Sequence, residues 1–262
     1  MSWTATGEAM KTIEVVFDPA RRTRDFAELR DEVLNGAVLI VRSAIDPVVS
    51  TQIVEYLRQV GKGSLPNYSP IEIGALNGHR LNRRDERSYV KGCFHQFAFY
   101  PWNQDVFDLF ELLRPVYQFK NRLSGFEPDR YLGPSGEDGV VSRLAFQCYP
   151  IGSGFMNAHE DPVGDHQVVV STMMLSAKGT DFTSGGLYLE NSDGSVHCLD
   201  DHAGPGDVVF FDARSTHSVK MIDGERPTDW LAFNGRWSLL LATNKTIGVT
   251  DIGDAVEVSG FS

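Results

Sequence analysis

The chain is poor in cysteine, in basic residues and in long apolar runs. Three cysteines, Cys93, Cys148 and Cys198, are spread over 262 residues with no CxxC pair. An odd, widely spaced set argues against a disulfide framework and predicts a reducing compartment. Lysine and arginine number 24 against 35 aspartates and glutamates, a formal net charge of −11. A nucleic-acid partner needs a basic surface to displace counterions, so this balance argues against one. No stretch approaches the ~20 apolar residues of a membrane span, so no membrane partner is expected. The opening segment MSWTATGEAMKTIEVVF lacks a basic start followed by an apolar core. No secretory signal is therefore expected, and the expected location is cytoplasmic. The sequence has no internal repeat and no low-complexity tract.

Within these bounds the two halves differ in pattern. The first half reads as helix-rich. Residues 19–35 place Phe26, Leu29, Val33 and Leu34 on one helical face. Residues 46–61 begin with Asp46 as N-cap and Pro47 at the first helical position, and stop at Gly61. Residues 103–123 carry a helical apolar stripe that Pro115 is expected to kink or split. GAVLIV (36–41) suits a buried strand, and CFHQFAFYPW (93–102) alternates. In that segment Phe94, Gln96, Ala98 and Tyr100 share one face, and Cys93, His95, Phe97 and Phe99 share the other. An aromatic strand is usually core, though one face could line a pocket. The intervening loop 76–91 holds Arg80, Arg83, Arg84 and Arg87, a run that reads as solvated or as a lid.

From Val140 onward, short β-rich segments are separated by Gly, Asp and Ser. They fall at 142–149, 167–177, 185–191, 195–199, 206–211, 217–222 and 236–243. This spacing predicts a sandwich or barrel. The expected fold is mainly β with flanking helices: one domain spanning 1–262. Residues 1–139 would form a helix-rich support and lid region, 140–243 the β-barrel core and 244–262 a C-terminal tail.

The chemistry concentrates in NAHEDPVGDHQ, residues 157–167. On an extended strand, residues i and i+2 share a face. His159 and Asp161 therefore point together, while Glu160 points away. An imidazole and a carboxylate on one face can begin a metal site. Alone they are equally consistent with a surface turn. His166 follows PVGD, which reads as a turn containing Asp165, so its direction is unassigned. His217 opens a later strand and is the better third ligand. Two histidines and a carboxylate on one face suit non-haem Fe(II), and zinc accepts the same set. Asn157 and Asp212 lie close enough in sequence to orient a ligand, though Asp212 in DARST also reads as a turn-former. Arg236 and Ser238, in GRWSL, again share a face, between apolar flanks. A guanidinium beside a hydroxyl suits a carboxylate, and an arginine buried there requires an anionic partner.

In this order the segments QCYPIGSGFMNAHED, GGLYLEN, PGDVVFFDARSTHSV and GRWSLLLA resemble those of the Fe(II)/2-oxoglutarate-dependent oxygenase superfamily. The pattern is most similar to the prolyl-4-hydroxylase-like branch, over roughly residues 142–243. The resemblance implies a double-stranded β-helix, the jelly-roll or cupin-like barrel. It implies Fe(II) bound by His159, Asp161 and His217, with 2-oxoglutarate as co-substrate and O2 as oxidant. Arg236 with Ser238 would hold the distal carboxylate of 2-oxoglutarate, and Tyr149 matches a strand tyrosine that helps there. The branch usually places its basic anchor closer to the distal histidine than Arg236 stands to His217. An inserted loop at 223–233 accounts for this, and Arg226 within it is the competing anchor. The carboxylate ligand argues against halogenation. Hydroxylation, oxidative ring closure or desaturation would be the outcome.

The expected substrate is a small polar biosynthetic intermediate, such as an amino-acid derivative or an aminosugar natural product. Asp193, Asp200 and Asp201, read as barrel-loop acids, together with the acidic balance favour a cationic one. Two other readings of the same residues stand at this point: a cupin-like metal-dependent hydrolase or isomerase, and a non-catalytic β-barrel ligand-binding module. The sequence carries no signal of oligomeric state.

Overall fold

A computed structural model describes residues 10–88, 90–164, 166–191 and 194–246, and the backbone of 256–257. Asp165 and Asp193, both weighed above, lie outside the described residues, as does most of the C-terminal tail. The first half contributes β1 (Thr12–Val16), α1 (Thr23–Leu34), β2 (Val38–Arg42), α2 (Pro47–Gly63), β3 (Gly78–Arg83), β4 (Gly92–Phe99) and α3 (Leu109–Leu123). The second contributes β5 (Val140–Pro150), β6 (Phe155–Glu160), β7 (Val169–Met174), β8 (Gly186–Glu190), β9 (Val196–Cys198), β10 (Val208–Asp212), β11 (His217–Lys220), β12 (Gly235–Lys245) and β13 (Val256–Glu257). A single 3-10 turn, Leu199–Asp201, follows β9.

The strands form one curled sheet in the order β1-β2-β10-β7-β12-β5-β4-β6-β11-β8-β9, with β13 on β6 and β3 on β4. This is the jelly-roll half-barrel expected from the sequence. Its spine is the antiparallel β5–β12 ladder, which runs in register from Gly235↔Pro150 to Lys245↔Val140. The N-terminal half is more than a helical support. β2 pairs with β10, and β4 pairs with β5, so the division at 139/140 is one of composition and not of structure.

Period-two alternation sorts side chains between two apolar clusters. On β2, Leu39 and Val41 join the cluster under the helices, and Val38 and Ile40 face the barrel interior. On β12, Trp237, Leu239 and Leu241 pack toward the helices. Arg236, Ser238 and Leu240 therefore point inward. α2 and α3 cover the outer cluster with Ile53, Leu57, Leu113 and Val116, each almost wholly buried. A buried side chain of this kind contributes ~1.5–3 kcal/mol relative to exposure.

The helix boundaries show which local signals won. Asp46 caps α2 by accepting from Val48 N at 2.8 Å, as expected. α3 is shorter than the stripe suggested, because Asp105 accepts from the amides of Phe107 and Leu109 and ends the preceding turn. Pro115 does not split it: the helix runs through to Leu123. The segment 78–83, which shows no periodicity, is a strand because β4 supplies the ladder beside it.

Candidate active site

β6 and β11 are antiparallel neighbours with His159 directly opposite His217. Their rings lie 4.2 Å apart between centroids. Asp161 follows the end of β6, and its amide donates to Ala213 O at 3.0 Å, which turns the carboxylate back toward both rings. Its Oδ1 stands 3.7 Å from His159 Nε2, and its Oδ2 stands 3.8 Å from His217 Nε2. One ligand atom from each of the three residues falls within 4.8 Å of the others. Both histidines are buried, and Asp161 is partly accessible.

The tautomers are fixed by the backbone. His159 Nδ1 is 2.8 Å from Asn157 O, and His217 Nδ1 is 3.0 Å from Ser215 O. A carbonyl only accepts, so each Nδ1 carries a proton, and Nε2 is the atom each ring can offer a metal. Two imidazole nitrogens and one carboxylate, converging on one point, are a donor set that fits a divalent transition metal. Asn157 thus orients His159 through its carbonyl. Asp212 does not orient His217: its carboxylate is occupied by the amide and guanidinium of Arg214, the turn-forming role. Glu160 faces away, accepting from Thr216 at 3.4 Å. His166 is buried and lines the cavity beside the cluster, but is not part of it.

Arg236 is 1% exposed, whereas Arg226 sits on the surface paired with Asp223. Arg236 Nη1 donates to Ser238 Oγ at 3.1 Å, and its guanidinium carbon lies 5.7 Å from the centre of the Tyr149 ring. Tyr149 is opposite Arg236 on the β5–β12 ladder, and its hydroxyl donates to Gln147 Oε1 at 3.0 Å. Burial pushes the Tyr149 phenol well above its usual value, with Arg236 opposing and Asp161 and Asp200 reinforcing. The phenol therefore stays protonated and can donate.

The anionic partner that a buried Arg236 requires is Asp200. Its two oxygens accept from Arg236 Nε at 2.9 and 3.0 Å, and Oδ2 also accepts from Leu187 N at 2.6 Å. Gly186 makes room for it: a Cβ there would stand 2.9 Å from Asp200 Oδ2, at a φ of +120°. This corrects the reading of Asp200 as a loop acid waiting for a cationic substrate. Asp201 is also engaged, with Lys178 at 2.7 Å.

A cavity of about 290 Å³ opens beside the cluster and includes His159 and Asp161 in its wall. The β4 face of Phe94, Gln96, Ala98 and Tyr100 lines it, whereas Phe97 and Phe99 on the other face join the outer core. Arg80, Asn82 and Arg87 of the β3–β4 hairpin also line it, so the arginine-rich segment is a wall of the cavity. His217, Arg236, Ser238 and Tyr149 lie behind the wall and do not line it. Sequence reading missed Lys120. This α3 lysine is buried, donates to Leu241 O and Thr243 Oγ1, and is pushed down to about 7 by burial. Nothing in its sequence context separates it from a surface lysine.

No protein-family model and no curated protein sequence matches the chain. Solved structures do match in fold. A prolyl-4-hydroxylase from Pseudomonas putida is 16% identical, with a TM-score of 0.52 over 82% of this chain and 96% of that one. A prolyl hydroxylase from Trichoplax adhaerens, in complex with a hypoxia inducible factor oxygen degradation domain peptide fragment, is 14% identical. It gives a TM-score of 0.50 over 86% of this chain and 94% of that one. At such identities the likeness is one of backbone architecture, and the chain has the jelly-roll fold of the prolyl hydroxylases.

Proposed function

We propose that the protein is an Fe(II)/2-oxoglutarate-dependent oxygenase that oxidises a small polar molecule by hydroxylation, ring closure or desaturation. The observation that carries this reading is the pair of in-register histidines, each with Nδ1 committed to a backbone carbonyl and Nε2 turned to Asp161. The fold shared with prolyl hydroxylases supports it. With Fe(II), 2-oxoglutarate and O2 bound, such a centre couples loss of CO2 from the oxoacid to a two-electron oxidation of a C–H bond.

The residues of the chain have separable tasks. His159, Asp161 and His217 would hold the metal and leave the opposite face for co-substrate and oxygen. Arg236 uses Nε on Asp200 and keeps its Nη edge, beside Ser238, for the distal carboxylate of 2-oxoglutarate. Tyr149 packs its ring beside that edge, with its hydroxyl held by Gln147. Phe94, packed on Tyr149 at 5.3 Å, stands between the anchor and the cavity and helps exclude water. The proposal includes a cytoplasmic location, where three buried free thiols stay reduced. Among the described residues no helix is long and apolar enough to cross a membrane.

The test is anaerobic titration of Fe(II)-loaded protein with 2-oxoglutarate. A weak visible charge-transfer band is expected on chelation. Arg236→Ala should weaken the titration by at least an order of magnitude, as loss of a charged hydrogen bond does, and Arg226→Ala should leave it unchanged. No band in the wild type, with iron shown to be bound, overturns the reading.

A further inference from the structure

The carboxamides on the cavity wall are all turned one way. Gln96 on β4 and Gln147 on β5 both line the cavity and stand directly opposite each other in the ladder. Cross-strand partners of this kind hold their Cβ atoms about 5 Å apart. Parity puts both on the inward face, since Phe97 and Phe99 on β4 and Phe146 and Cys148 on β5 belong to the outer core. Gln147 is 9% exposed.

Each carboxamide oxygen is spent inside the protein. Gln96 Oε1 accepts from Arg143 Nη1 at 3.2 Å. Arg143 is engaged elsewhere as well, but a guanidinium only donates, so the atom that Gln96 turns to it is the oxygen. Asn244, also on the wall, is oriented in the same way, its Oδ1 accepting from Arg143 Nε at 3.1 Å. Gln147 Oε1 accepts from the Tyr149 hydroxyl at 3.0 Å, and burial of the phenol keeps that proton in place. What remains on Gln96 and Gln147 is a pair of neighbouring NH2 groups, and neither Nε2 has a partner among the described residues. A buried donor left unpaired is costly, so such a pair points to a ligand that accepts. Arg236, Ser238 and Tyr149 do not line the cavity, so the two donors serve what the cavity holds and not the co-substrate anchor.

We infer that the substrate is an uncharged molecule with an acyl carbonyl, of the carboxamide kind, whose oxygen accepts from both Gln96 and Gln147 in the cavity that also presents Asp161. The inference rests on the oxygenase reading for what is done to the ligand, but not for its binding. A carbonyl oxygen has two lone pairs and takes one hydrogen from each side chain. The two donors carry no charge, and the carboxylate of Asp161 shares the wall, so the pair favours a neutral acceptor over an anion. An ammonium group would set donors against donors here. Phe94, Met156 and Leu240 give the rest of the molecule an apolar wall, and a volume of about 290 Å³ holds a single small one.

The test is an NMR titration of the full, metal-free, isotope-labelled chain with benzamide, and in parallel with benzoate and benzylamine, which share its ring and differ in the polar group. The side-chain NH2 signals of Gln96 and Gln147 are followed. Benzamide is expected to move both saturably, and the acid and the amine to bind on the order of tenfold more weakly or worse. Gln147→Glu keeps an acceptor for Tyr149 but puts an oxygen where the donor was, and Gln147→Met removes the donor without adding charge. Both should weaken benzamide by a similar factor on the Gln96 signal, while the backbone amide spectrum reports that each variant is folded. With Zn(II) and 2-oxoglutarate added to the wild type, the benzamide shifts should persist. No shift with benzamide, binding of benzoate or benzylamine as tight as that of benzamide, unchanged binding in the folded variants, or displacement of benzamide by 2-oxoglutarate overturns the inference. Absence of the iron–2-oxoglutarate band in wild type would instead remove the oxygenase reading and leave the carbonyl site standing.

Discussion

Asp200 and Arg236 form a buried ion pair, and its net charge is zero before any co-substrate arrives. Breaking such a pair from one side strands a charge in a low-dielectric site, at a cost on the order of 3 kcal/mol or more. Asp200→Asn should therefore lower the melting temperature of the ligand-free protein by several degrees. Added 2-oxoglutarate should restore more stability to this variant than it adds to wild type, because the ligand carboxylate becomes the missing counter-charge. Equal ligand-induced shifts in calorimetry would mean that Arg236 does not hold that carboxylate. His159 and Asp161 were legible in the sequence because strand parity is a rule of geometry that needs no tertiary knowledge, and His217 because it opens a later strand. Arg236 was legible as a buried cation because its flanks are apolar. Its partner was not. Asp200 lies 36 residues earlier, in CLDDHAG, where two adjacent acids look alike. Only the 3-10 turn and the side-chain space left by Gly186 decide that one goes inward and the other outward.

The β3–β4 hairpin carries a second polar chain beneath the cavity. Ser64 Oγ meets His79 Nδ1 at 2.8 Å, and His79 Nε2 meets His95 Nδ1 at 2.9 Å. His79 stacks on Phe97, and His95 packs on Phe233. Burial holds both imidazoles down to about 4, helped at His95 by the neighbouring ring. In the unfolded chain each takes up its proton near the ordinary value of about 6.5. The stability these residues contribute is thus present above pH 6.5 and lost as pH falls toward 4, because the unfolded state binds protons first. His95→Gln keeps a hydrogen-bonding group without titrating. Its melting temperature should fall less steeply from pH 6.5 to 4 than that of wild type, and parallel slopes would refute the assignment. Alternation in CFHQFAFYPW revealed the two faces of β4. Which face lines a cavity was not readable, because both mix polar and aromatic residues. α3 shows the limit from the other side: its apolar stripe was clear, but the Asp105 carboxylate set its start by accepting from main-chain amides, which periodicity does not report.

At the scale of the molecule, the sheet is unevenly anchored. The β5–β12 ladder is flanked by β4 and β7 and buried on both faces, whereas β1 pairs only with β2 among the described strands. Hydrogen exchange should reflect this, with the amides of Leu144, Phe146, Leu239 and Leu241 slowest and those of β1 among the first to exchange. Exchange of β5 and β12 amides as fast as those of β1 would contradict the ladder as the spine. The strands of the barrel half were legible as a series of short β-rich segments. The contribution of the N-terminal half to the same sheet was not, since a buried run such as GAVLIV names no partner. That partner is β10, and Arg42 bonds Asp207 across 165 residues of sequence. The distance has a consequence for biogenesis. A ribosome releases β2 long before β10 exists, so a largely apolar strand, with β1 on one edge, waits with its other edge unpaired through most of translation. Production of the full chain should therefore depend on chaperone capacity more than its final stability suggests, and truncation before β10 should yield aggregate and not a smaller folded unit.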